Sequence, residues 1–472
     1  MRQIFYLFIF LLNPLFSISQ SYKKPNIIYI LADDLGYSEL GSYGNTFNET
    51  PHLDRLASQG IKFTNFYAAA PVCSPYRAAL ITGQYPARVG IVDYLRPNSS
   101  ERLDTTHYTI AEMFRDNGYY TGIVGKWHLS GYVKSGAPKE ALPDKHGFQE
   151  VLLSENQGIS VGPYWHPYQF NLDIPKKMEV EHEFLTDRQN LEALEFIERN
   201  QSKPFFLYLS HYAVHTWSTG KPYLVDHFRK KKGAGTSPAS GNNTENDPYK
   251  NWPEDVRATR NNPHLGAQLF SIDEGVGMIM DKLKSLGLDK NTIIIFTSDN
   301  GGETRVTTNA PLRGGKSMLY EGGVREPMII WNPQLFSKNR IETARLVNFD
   351  FYPTFMEIIN AKKNTQQLDG ISFAKLLKNP EYEMPERTYY WHYPLESPHF
   401  LGGRSAGSIL KGDWKLIEFF DTKEEQLFNL KNDAFETTDL AAKNPGKVKQ
   451  LSEELKQWRS KLGAKTTVTV KN

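Results

Sequence analysis

Short apolar runs alternate with amphipathic segments along most of the chain. Five runs are typical of buried strands: Pro25–Leu31, Tyr119–Val124, Phe205–Leu209, Thr292–Thr297 and Pro327–Trp331. Segments with helical periodicity lie between them, at Asn48–Gly60, Thr109–Gly118 and Asp187–Asn200. Strands that alternate with helices predict an α/β fold, with a large, mostly parallel sheet sandwiched by helices. In such folds the chemistry lies beyond the carboxyl ends of the strands.

The pattern changes near Asn379–Arg387, where shorter strand-like runs begin. These runs are Thr388–His392, Gly407–Leu410 and Trp414–Phe420, and a helix is predicted from about Gly446 to Leu462. We therefore expect a catalytic domain at 20–380 and a smaller C-terminal subdomain at 381–472, built from an antiparallel sheet and that helix. The polar segment 221–263 predicts a long loop or insertion within the first domain.

The first residues have the pattern of an export signal. Arg2 precedes an apolar run, Ile4–Phe16, and the small residues of Ser17–Ser19 follow it. The run is shorter than the roughly 20 residues that span a bilayer. We expect a signal peptide at 1–19 and a periplasmic or secreted protein with no membrane span. The 55 Lys and Arg residues balance 53 Asp and Glu residues, so charge gives no reason to expect a nucleic-acid partner.

Paired polar residues directly follow two of the predicted strands. Asp33-Asp34 comes after the first strand, and Asp299-Asn300 follows Thr292–Thr297. Such residues are common in turns. Adjacent carboxylates repel each other, however, and that cost is offset where they hold a cation. Carboxylate and amide oxygens suit Ca²⁺ or Mg²⁺, so the two pairs predict one metal site at the carboxyl edge of the sheet.

Cys73 is the only cysteine, and a single cysteine forms no internal disulfide. By itself it would be interpreted as a small buried apolar residue. Its neighbours change that interpretation, because Cys73-Ser74-Pro75-Tyr76-Arg77 is followed by a short predicted helix that ends at Thr82-Gly83. This segment resembles the C-x-P-x-R formylglycine signature of the sulfatases. Tyr76 occupies a position where members of the family more often carry a small hydroxyl residue.

Further segments resemble the sulfatase family in the same order along the chain. They are Asn26–Gly36, Gly125–Leu129, Ser298–Gly302, Leu312–Lys316, Glu321–Pro327, Gly412–Leu416 and Leu427–Leu430. Because these segments cover nearly the whole mature chain, the protein is identified as a member of the sulfatase family, in the alkaline-phosphatase-like superfamily.

The resemblance implies a modified nucleophile and a metal ion. A formylglycine-generating enzyme or an anaerobic sulfatase-maturing enzyme would oxidise Cys73 to formylglycine (3-oxoalanine), and the hydrated aldehyde would attack sulfur and expel the alcohol. The implied ligands of a single Ca²⁺ ion are Asp33, Asp34, Asp299, Asn300 and residue 73 itself.

The resemblance also implies roles for the remaining catalytic residues, which are Arg77, Lys126, His128, His215 and Lys316. Arg77, one helical turn after Cys73, would contact the diol and the metal carboxylates. Lys126 and Lys316 would bind the sulfate oxygens. His128 would act as a base when the intermediate collapses, and His215 would protonate the leaving oxygen. The family usually has a proline two residues after this last histidine, where this chain has Trp217.

Other functions fit parts of the pattern. The spacing of His211 and His215 would suit a zinc pair on a helix, although the segment predicts a strand and its exit loop. A phosphatase or phosphodiesterase of the same superfamily would use Ser or Thr as nucleophile with two zinc ions. A catalytically inactive glycan-binding protein would be expected to have lost a ligand or the nucleophile.

The sequence predicts the substrate only as a class. The sulfate-binding residues are common to the family, so selectivity is expected from loops that contain Trp165, His166, Trp217, Trp252, Arg305, His392, His399 and Arg404. Export favours a sulfated carbohydrate partner, and we expect exo action on fragments of an algal polysaccharide such as ulvan, carrageenan or fucoidan. Glycosaminoglycans come second, and small aryl or choline sulfates third.

Overall fold

The computed structural model of the chain describes residues 24–96, 99–130, 141–156, 164–241, 251–336, 339–362 and 364–466. The predicted signal peptide at 1–19 lies outside these ranges. Within them, no helix combines the length and hydrophobicity required to cross a bilayer.

The predicted strands and helices occur in the predicted order, together with elements that the sequence pattern did not predict, such as the strand Ile61–Tyr67 and the helix Pro263–Ser285. The strands are β1 (Asn26–Ala32), β2 (Ile61–Tyr67), β3 (Tyr120–Gly125), β4 (Glu150–Leu152), β5 (Phe205–Ser210), β6 (Ser240–Gly241), β7 (Asn251–Trp252), β8 (Thr292–Ser298), β9 (Arg325–Trp331), β10 (Arg340–Glu342), β11 (Leu346–Val347), β12 (Tyr389–Tyr393), β13 (Ala406–Lys411), β14 (Trp414–Phe419) and β15 (Glu425–Asn429). The helices are α1 (Pro51–Gln59), α2 (Cys73–Thr82), α3 (Pro86–Val89), α4 (Ile110–Asp116), α5 (Leu185–Arg199), α6 (Pro222–Arg229), α7 (Pro263–Ser285), α8 (Glu321–Val324), α9 (Phe351–Ile358), α10 (Ala374–Lys378) and α11 (Pro445–Leu462).

Nine of the strands form one large sheet, in the spatial order β10-β2-β9-β8-β1-β5-β3-β4, with β11 also paired to β2. The pairs around β1 are parallel, as predicted, whereas β9 runs antiparallel to both β8 and β2. The connection after β8 stays at the carboxyl edge of the sheet, so the next strand has to start there and run back. The predicted strand at Pro327–Trp331 is therefore correct in place and reversed in direction.

The central strand β1 is buried on both faces of this sheet. Ile27, Tyr29 and Leu31 point into one core with helices α2, α4, α9 and α10. Ile28 and Ile30 point into a second core with α1, α5 and α7. The side-chain period of two therefore divides the apolar run between two helical layers, and the predicted sandwich of helices around a mostly parallel sheet is confirmed.

The smaller sheet has the order β12-β13-β14-β15 and is antiparallel throughout. Its outer face packs on Leu451 and Leu455 of α11. The other face contains Trp391 and Phe428, which share a core with Tyr67 and Ala79 of the catalytic part. The predicted antiparallel sheet and its helix are both present, together with β15, which the sequence pattern did not predict.

A buried ion cluster joins the two sheets. Lys415 Nζ on β14 lies 2.8 Å from Glu321 Oε1 and 3.0 Å from Glu436 Oε1, and all three side chains are buried. Tyr67 donates a hydrogen bond of 2.9 Å to the other oxygen of Glu321. The small sheet is thereby attached to the segment that leads into β9.

The predicted polar insertion at 221–263 contains more regular structure than expected. Helix α6 occupies its start and buries Leu224, Val225 and Phe228. These apolar residues lie one helical turn apart within an otherwise charged segment, which is why the prediction of a loop was wrong there. The short pair of strands β6 and β7 lies further along the same segment.

Candidate active site

Three aspartates meet where β1 and β8 end. The strands are parallel, with Ala32 opposite Ser298, so the next residues, Asp33 and Asp299, lie side by side. Asp34 has a φ of +59°, and its backbone N–H donates to Asp299 Oδ1 at 3.1 Å. All three aspartates are at most 2% exposed. The register of one strand pair therefore brings together residues that are 265 positions apart.

Cys73 is the first residue of α2, and its side chain points into the same place. Its Sγ lies 3.9 Å from Asp34 Oδ1. One ligand atom from each of Asp33, Asp34, Cys73 and Asp299 lies within 4.8 Å of the other three. The structure thus brings the predicted nucleophile and the predicted aspartate ligands into one cluster.

Arg77 is fully buried beneath the aspartates. Its Nη2 lies 2.7 Å from Asp299 Oδ2 and 3.6 Å from Asp33 Oδ1. Its Nη1 donates to the carbonyl oxygen of Lys126 at 3.0 Å and to Ser210 Oγ at 2.6 Å. These contacts hold Arg77 against the ends of β3, β5 and β8, where its positive charge stabilises the negative charge of the aspartates.

Two lysines approach the cluster from the loops after β3 and β8. Lys126 Nζ bonds Asp33 Oδ2, and Lys316 Nζ lies 2.6 Å from Asp34 Oδ2. Gly125, with a φ of +103°, makes the turn that leads to Lys126, and a Cβ there would lie 2.1 Å from the carbonyl oxygen of Ser210. Only glycine fits both the conformation and the space.

Burial and charge shift the pKa values of this cluster in opposite directions. Burial raises the pKa of Asp33, but the charges of Lys126, His215 and Arg77 outweigh it and hold that pKa well below its usual range. Burial and the neighbouring charge of Asp33 raise the pKa of Asp299 to about 7. Burial, followed by the charge of Asp33, also raises the pKa of the Cys73 thiol well above its usual value. Three carboxylates at this distance thus need cations, and unmodified Cys73 is a poor thiolate nucleophile.

The two predicted catalytic histidines have defined tautomers. His128 Nε2 lies 2.9 Å from the carbonyl oxygen of Leu95, so it carries the hydrogen, and Nδ1 is buried without a hydrogen bond in the described part of the chain. Burial and then the charge of Lys126 lower the pKa of His128 well below its usual value. His215 differs, because its Nδ1 lies 2.6 Å from the carbonyl oxygen of Thr216 and its Nε2 faces Asp34 Oδ2 at 3.6 Å.

The alternative of a zinc pair at His211 and His215 is not supported among the described residues. His211 Nε2 lies 3.0 Å from Asn190 Oδ1 in the core, whereas His215 points to the aspartates. Segment 205–210 is strand β5, and consecutive residues of a strand and its exit loop do not share the spacing of a helix.

The donor set of the cluster fits a hard divalent cation. Asp33 Oδ1 and Asn300 Oδ1 are buried and lack a hydrogen-bond partner within the described residues. The amide nitrogen of Asn300 donates to Asp34 Oδ1 at 2.8 Å, so this residue belongs to the same network. Carboxylate and amide oxygens are the ligands that Ca²⁺ prefers, and these residues are the ones that would hold it.

Two family models match the chain. The model described as sulfatase matches residues 25–361, and the model described as the C-terminal part of N-sulphoglucosamine sulphohydrolase matches residues 315–463. The chain belongs to the sulfatase family. It is therefore a sulfuric ester hydrolase, in agreement with the resemblance of its motifs.

Three relatives align with this sulfatase over nearly its whole length. A sulfatase from Formosa agariphila is 30% identical, with 99% of this chain and 95% of that protein covered. The N-acetylgalactosamine-6-O-sulfatase of Bacteroides thetaiotaomicron is 28% identical, with 94% of each chain covered. The crystal structure of Ps i-CgsB in complex with k-i-k-neocarrahexaose superposes with a TM-score of 0.75 at 28% identity, covering 92% of this chain and 93% of that chain.

Two buried carboxyl groups near the site of this sulfatase, Glu155 and Glu326, were not predicted from the sequence. Glu155 accepts hydrogen bonds from the backbone N–H groups of Trp127, at 3.0 Å, and His128. Glu326 on β9 has no hydrogen bond in the described part of the chain, and burial followed by the charges of Asp299 and Asp34 raises its pKa well above its usual value. Glu155 follows the three-residue strand β4, which carries no apolar run that would have marked its end as part of the site.

Glu155 positions the loop that carries Lys126 and His128, which predicts a loss of activity when it is changed. We expect Glu155→Gln to lower kcat/KM for sulfate ester hydrolysis about 10- to 100-fold, since an amide cannot accept both backbone bonds. Tyr212→Phe is the matched control, because it removes only the hydroxyl that donates to Glu155 at 2.8 Å. If both variants lost kcat/KM equally and in proportion to a lower thermal midpoint, a positioning role for Glu155 would be contradicted.

Proposed function

We propose that this sulfatase hydrolyses sulfate esters of sulfated oligosaccharides, using formylglycine at position 73 and one Ca²⁺ ion. The observation that carries the proposal is the convergence of Cys73 with three buried aspartates, flanked by Lys126 and Lys316. A cysteine is in the nucleophile position, within the C-x-P-x-R frame that maturing enzymes modify. When both groups are in place, the hydrated aldehyde supplies the nucleophile and the ion acts as Lewis acid and template.

The two lysines are placed to bind the sulfate group. Each lysine contacts one of the carboxylates proposed to bind the metal: Lys126 contacts Asp33, and Lys316 contacts Asp34. The two ammonium groups therefore flank the cluster. In-line attack requires that a sulfate held between them point its ester oxygen away from residue 73. Arg77 makes its four contacts through Nη1 and Nη2 below the aspartates, so its role is to hold the carboxylates charged.

The tautomers support different roles for the two histidines. His128 is neutral and presents an unprotonated Nδ1, which suits a base that takes a proton from the hydroxyl at residue 73. His215 donates its Nδ1 hydrogen to a carbonyl oxygen, so Nε2 carries a proton only in the imidazolium form. Burial and the charge of Lys316 lower the pKa of His215, and Asp34, 3.6 Å from that nitrogen, partly opposes this shift. We expect the imidazolium form to protonate the leaving alcohol.

The modification of Cys73 is directly testable. In protein co-expressed with a maturing enzyme, we expect the peptide that contains Cys73 to carry an aldehyde in mass spectra and to react with hydrazides. Cys73→Ala should lower kcat by about 10³-fold or more with an unchanged thermal midpoint, since it removes the nucleophile. Active protein that contains only the unmodified thiol would overturn the mechanism.

The metal is tested by removal and replacement. We expect chelation to abolish turnover, and calcium but not zinc to restore it. Asp299→Asn should weaken calcium binding about tenfold or more in calorimetric titrations, because one carboxylate charge is lost. Asp273→Asn is the matched control: Asp273 is also buried but accepts hydrogen bonds from the backbone of α1. Restoration by zinc alone would favour the phosphatase alternative.

The substrate class is supported by relatives whose names refer to sulfated sugars. One is an N-acetylgalactosamine-6-O-sulfatase, and the crystal structure of Ps i-CgsB contains neocarrahexaose. We infer a carbohydrate sulfatase that acts on algal oligosaccharides such as those of ulvan, carrageenan or fucoidan, with glycosaminoglycan fragments as the second candidate.

A panel of defined sulfated oligosaccharides, with free sulfate as the readout, tests the substrate class. We expect at least one carbohydrate sulfate to be hydrolysed with a higher kcat/KM than 4-nitrophenyl sulfate, because the sugar adds contacts outside the sulfate pocket. Rapid hydrolysis of the aryl ester, with no release from any sugar, would refute the carbohydrate assignment and leave the sulfatase chemistry intact.

A further inference from the structure

The open side of the catalytic cluster is marked by its most exposed members. His215 and Lys316 are 7% and 6% exposed, whereas the other cluster residues are at most 2% exposed. The alcohol part of a substrate therefore leaves the sulfate pocket past these two side chains. Trp217 follows His215 by two residues, and His399 is close enough to Lys316 for that charge to help lower its pKa.

Cationic and aromatic side chains alternate in a stack beside this opening. The guanidinium of Arg257 lies 4.4 Å from the ring centre of Trp217, and that of Arg305 lies 5.0 Å from the same ring. Arg305 also lies 4.7 Å from the ring centre of Phe400. We call these four residues, Trp217, Arg257, Arg305 and Phe400, the rim stack. It joins loops that are far apart in sequence.

A buried carboxylate fixes the rim stack to the catalytic loop. Glu303 is 1% exposed, and its Oε1 lies 2.5 Å from Arg305 Nε and Nη2. Its other oxygen accepts a hydrogen bond of 2.6 Å from Thr216, the residue after His215. Nη1 of Arg305 makes no hydrogen bond within the described residues. Arg305 is thus held in one orientation with a free N–H edge.

His399 adds a neutral donor next to the stack. Its ring stacks on Phe400 at 4.3 Å, and its Nδ1 accepts a hydrogen bond from the backbone N–H of Leu401 at 3.2 Å. Burial, with the charges of Lys316 and Arg96, lowers the pKa of His399 to about 4. The ring is therefore neutral near pH 7 with its hydrogen on Nε2, a donor suited to a sugar hydroxyl.

The local charge at the opening is positive. Arg305 is paired with Glu303, whereas Arg257 is exposed and has no carboxylate partner in the part of the chain that the structure describes. Phe400 is 65% exposed, which is costly for an aromatic ring unless a partner covers it. An exposed ring beside fixed guanidinium groups matches a sugar ring that carries an anionic group.

We propose that the rim stack and His399 form a subsite for an anionic sugar residue adjacent to the sulfated one. Phe400 and Trp217 provide the ring faces, His399 a hydroxyl donor, and Arg305 and Arg257 the contacts to a carboxylate or second sulfate. This inference rests on the proposed function and narrows its substrate to oligosaccharides with negative charge on neighbouring residues.

The test compares disaccharides that share one sulfated sugar and differ in its neighbour. The neighbour carries a uronate, a second sulfate or no charge, and 4-nitrophenyl sulfate serves as the substrate without a neighbour. We expect kcat/KM to be about tenfold or more higher for one charged neighbour than for the neutral one. The preferred charged group identifies the anion as carboxylate or sulfate. Equal values for all three disaccharides would overturn the proposal.

Variants separate the charge of the rim stack from its ring faces. Arg305→Ala should reduce the preference for the charged neighbour to near unity, and Arg257→Ala should reduce it in part. Phe400→Ala should weaken the binding of all three disaccharides and leave the preference for a charged neighbour unchanged. The matched control is Arg115→Ala: Arg115 is 39% exposed against 41% for Arg305, is paired with Asp116, and lies at the end of α4 on the opposite edge of the sheet. An unchanged preference in Arg305→Ala would overturn the proposal.

Calorimetric titration of the same disaccharides into Cys73→Ala protein measures the subsite without turnover. Adding Arg305→Ala should weaken the binding of the charged disaccharide about tenfold and hardly affect the neutral one. If no sulfate ester is hydrolysed by the wild type, the proposed function fails, while this titration still decides on the subsite. Equal affinities with and without Arg305 would refute it.

Discussion

The mutual repulsion of three buried carboxylates at the ends of β1 and β8 is the constraint on which the rest of the site depends. The parallel register forces Asp33 and Asp299 together, and Asp34 turns back onto them with a positive φ. In a poorly solvated site, charges at such distances interact far more strongly than in water. The segments that approach this point therefore bring a cation: Arg77 from α2, and the two lysines from the loops after β3 and β8.

Charge balance explains why the same residues serve both structure and chemistry. Three carboxylates face Arg77, Lys126 and Lys316, so the cluster is close to neutral by itself. A bound divalent cation would give it an excess of two positive charges, and a singly charged sulfate ester would then reduce that excess to one. The lysines that neutralise Asp33 and Asp34 are also the groups proposed to bind the sulfate. Metal binding and substrate binding are therefore expected to be electrostatically coupled, because both depend on the charges of the same residues.

Most residues of the candidate site could be predicted from the sequence, because the patterns that mark them are local in the chain. An apolar run that ends in Asp33-Asp34 marks both a strand and the turn at its end that is proposed to bind the metal, and the same holds for Asp299-Asn300. The reversed direction of β9, the helix α6 and the role of Glu155 depend on contacts between distant segments, and no local pattern records them. Of the rim stack, only Trp217 and Arg305 were predicted, as single residues in loops, because the geometry of the stack arises from packing among loops that are distant in the chain.

The ion cluster around Lys415 has a consequence for how the molecule can be divided. A lysine buried with Glu321 and Glu436 cannot lose its partners without leaving an uncompensated charge in the interior. Glu321 lies on the chain between Lys316 and β9, so the small sheet helps to hold a loop of the catalytic centre. The change of sequence pattern near residue 380 therefore marks where the chain enters the second sheet, and it does not separate two independently folding units. The two sheets are expected to unfold as one cooperative unit.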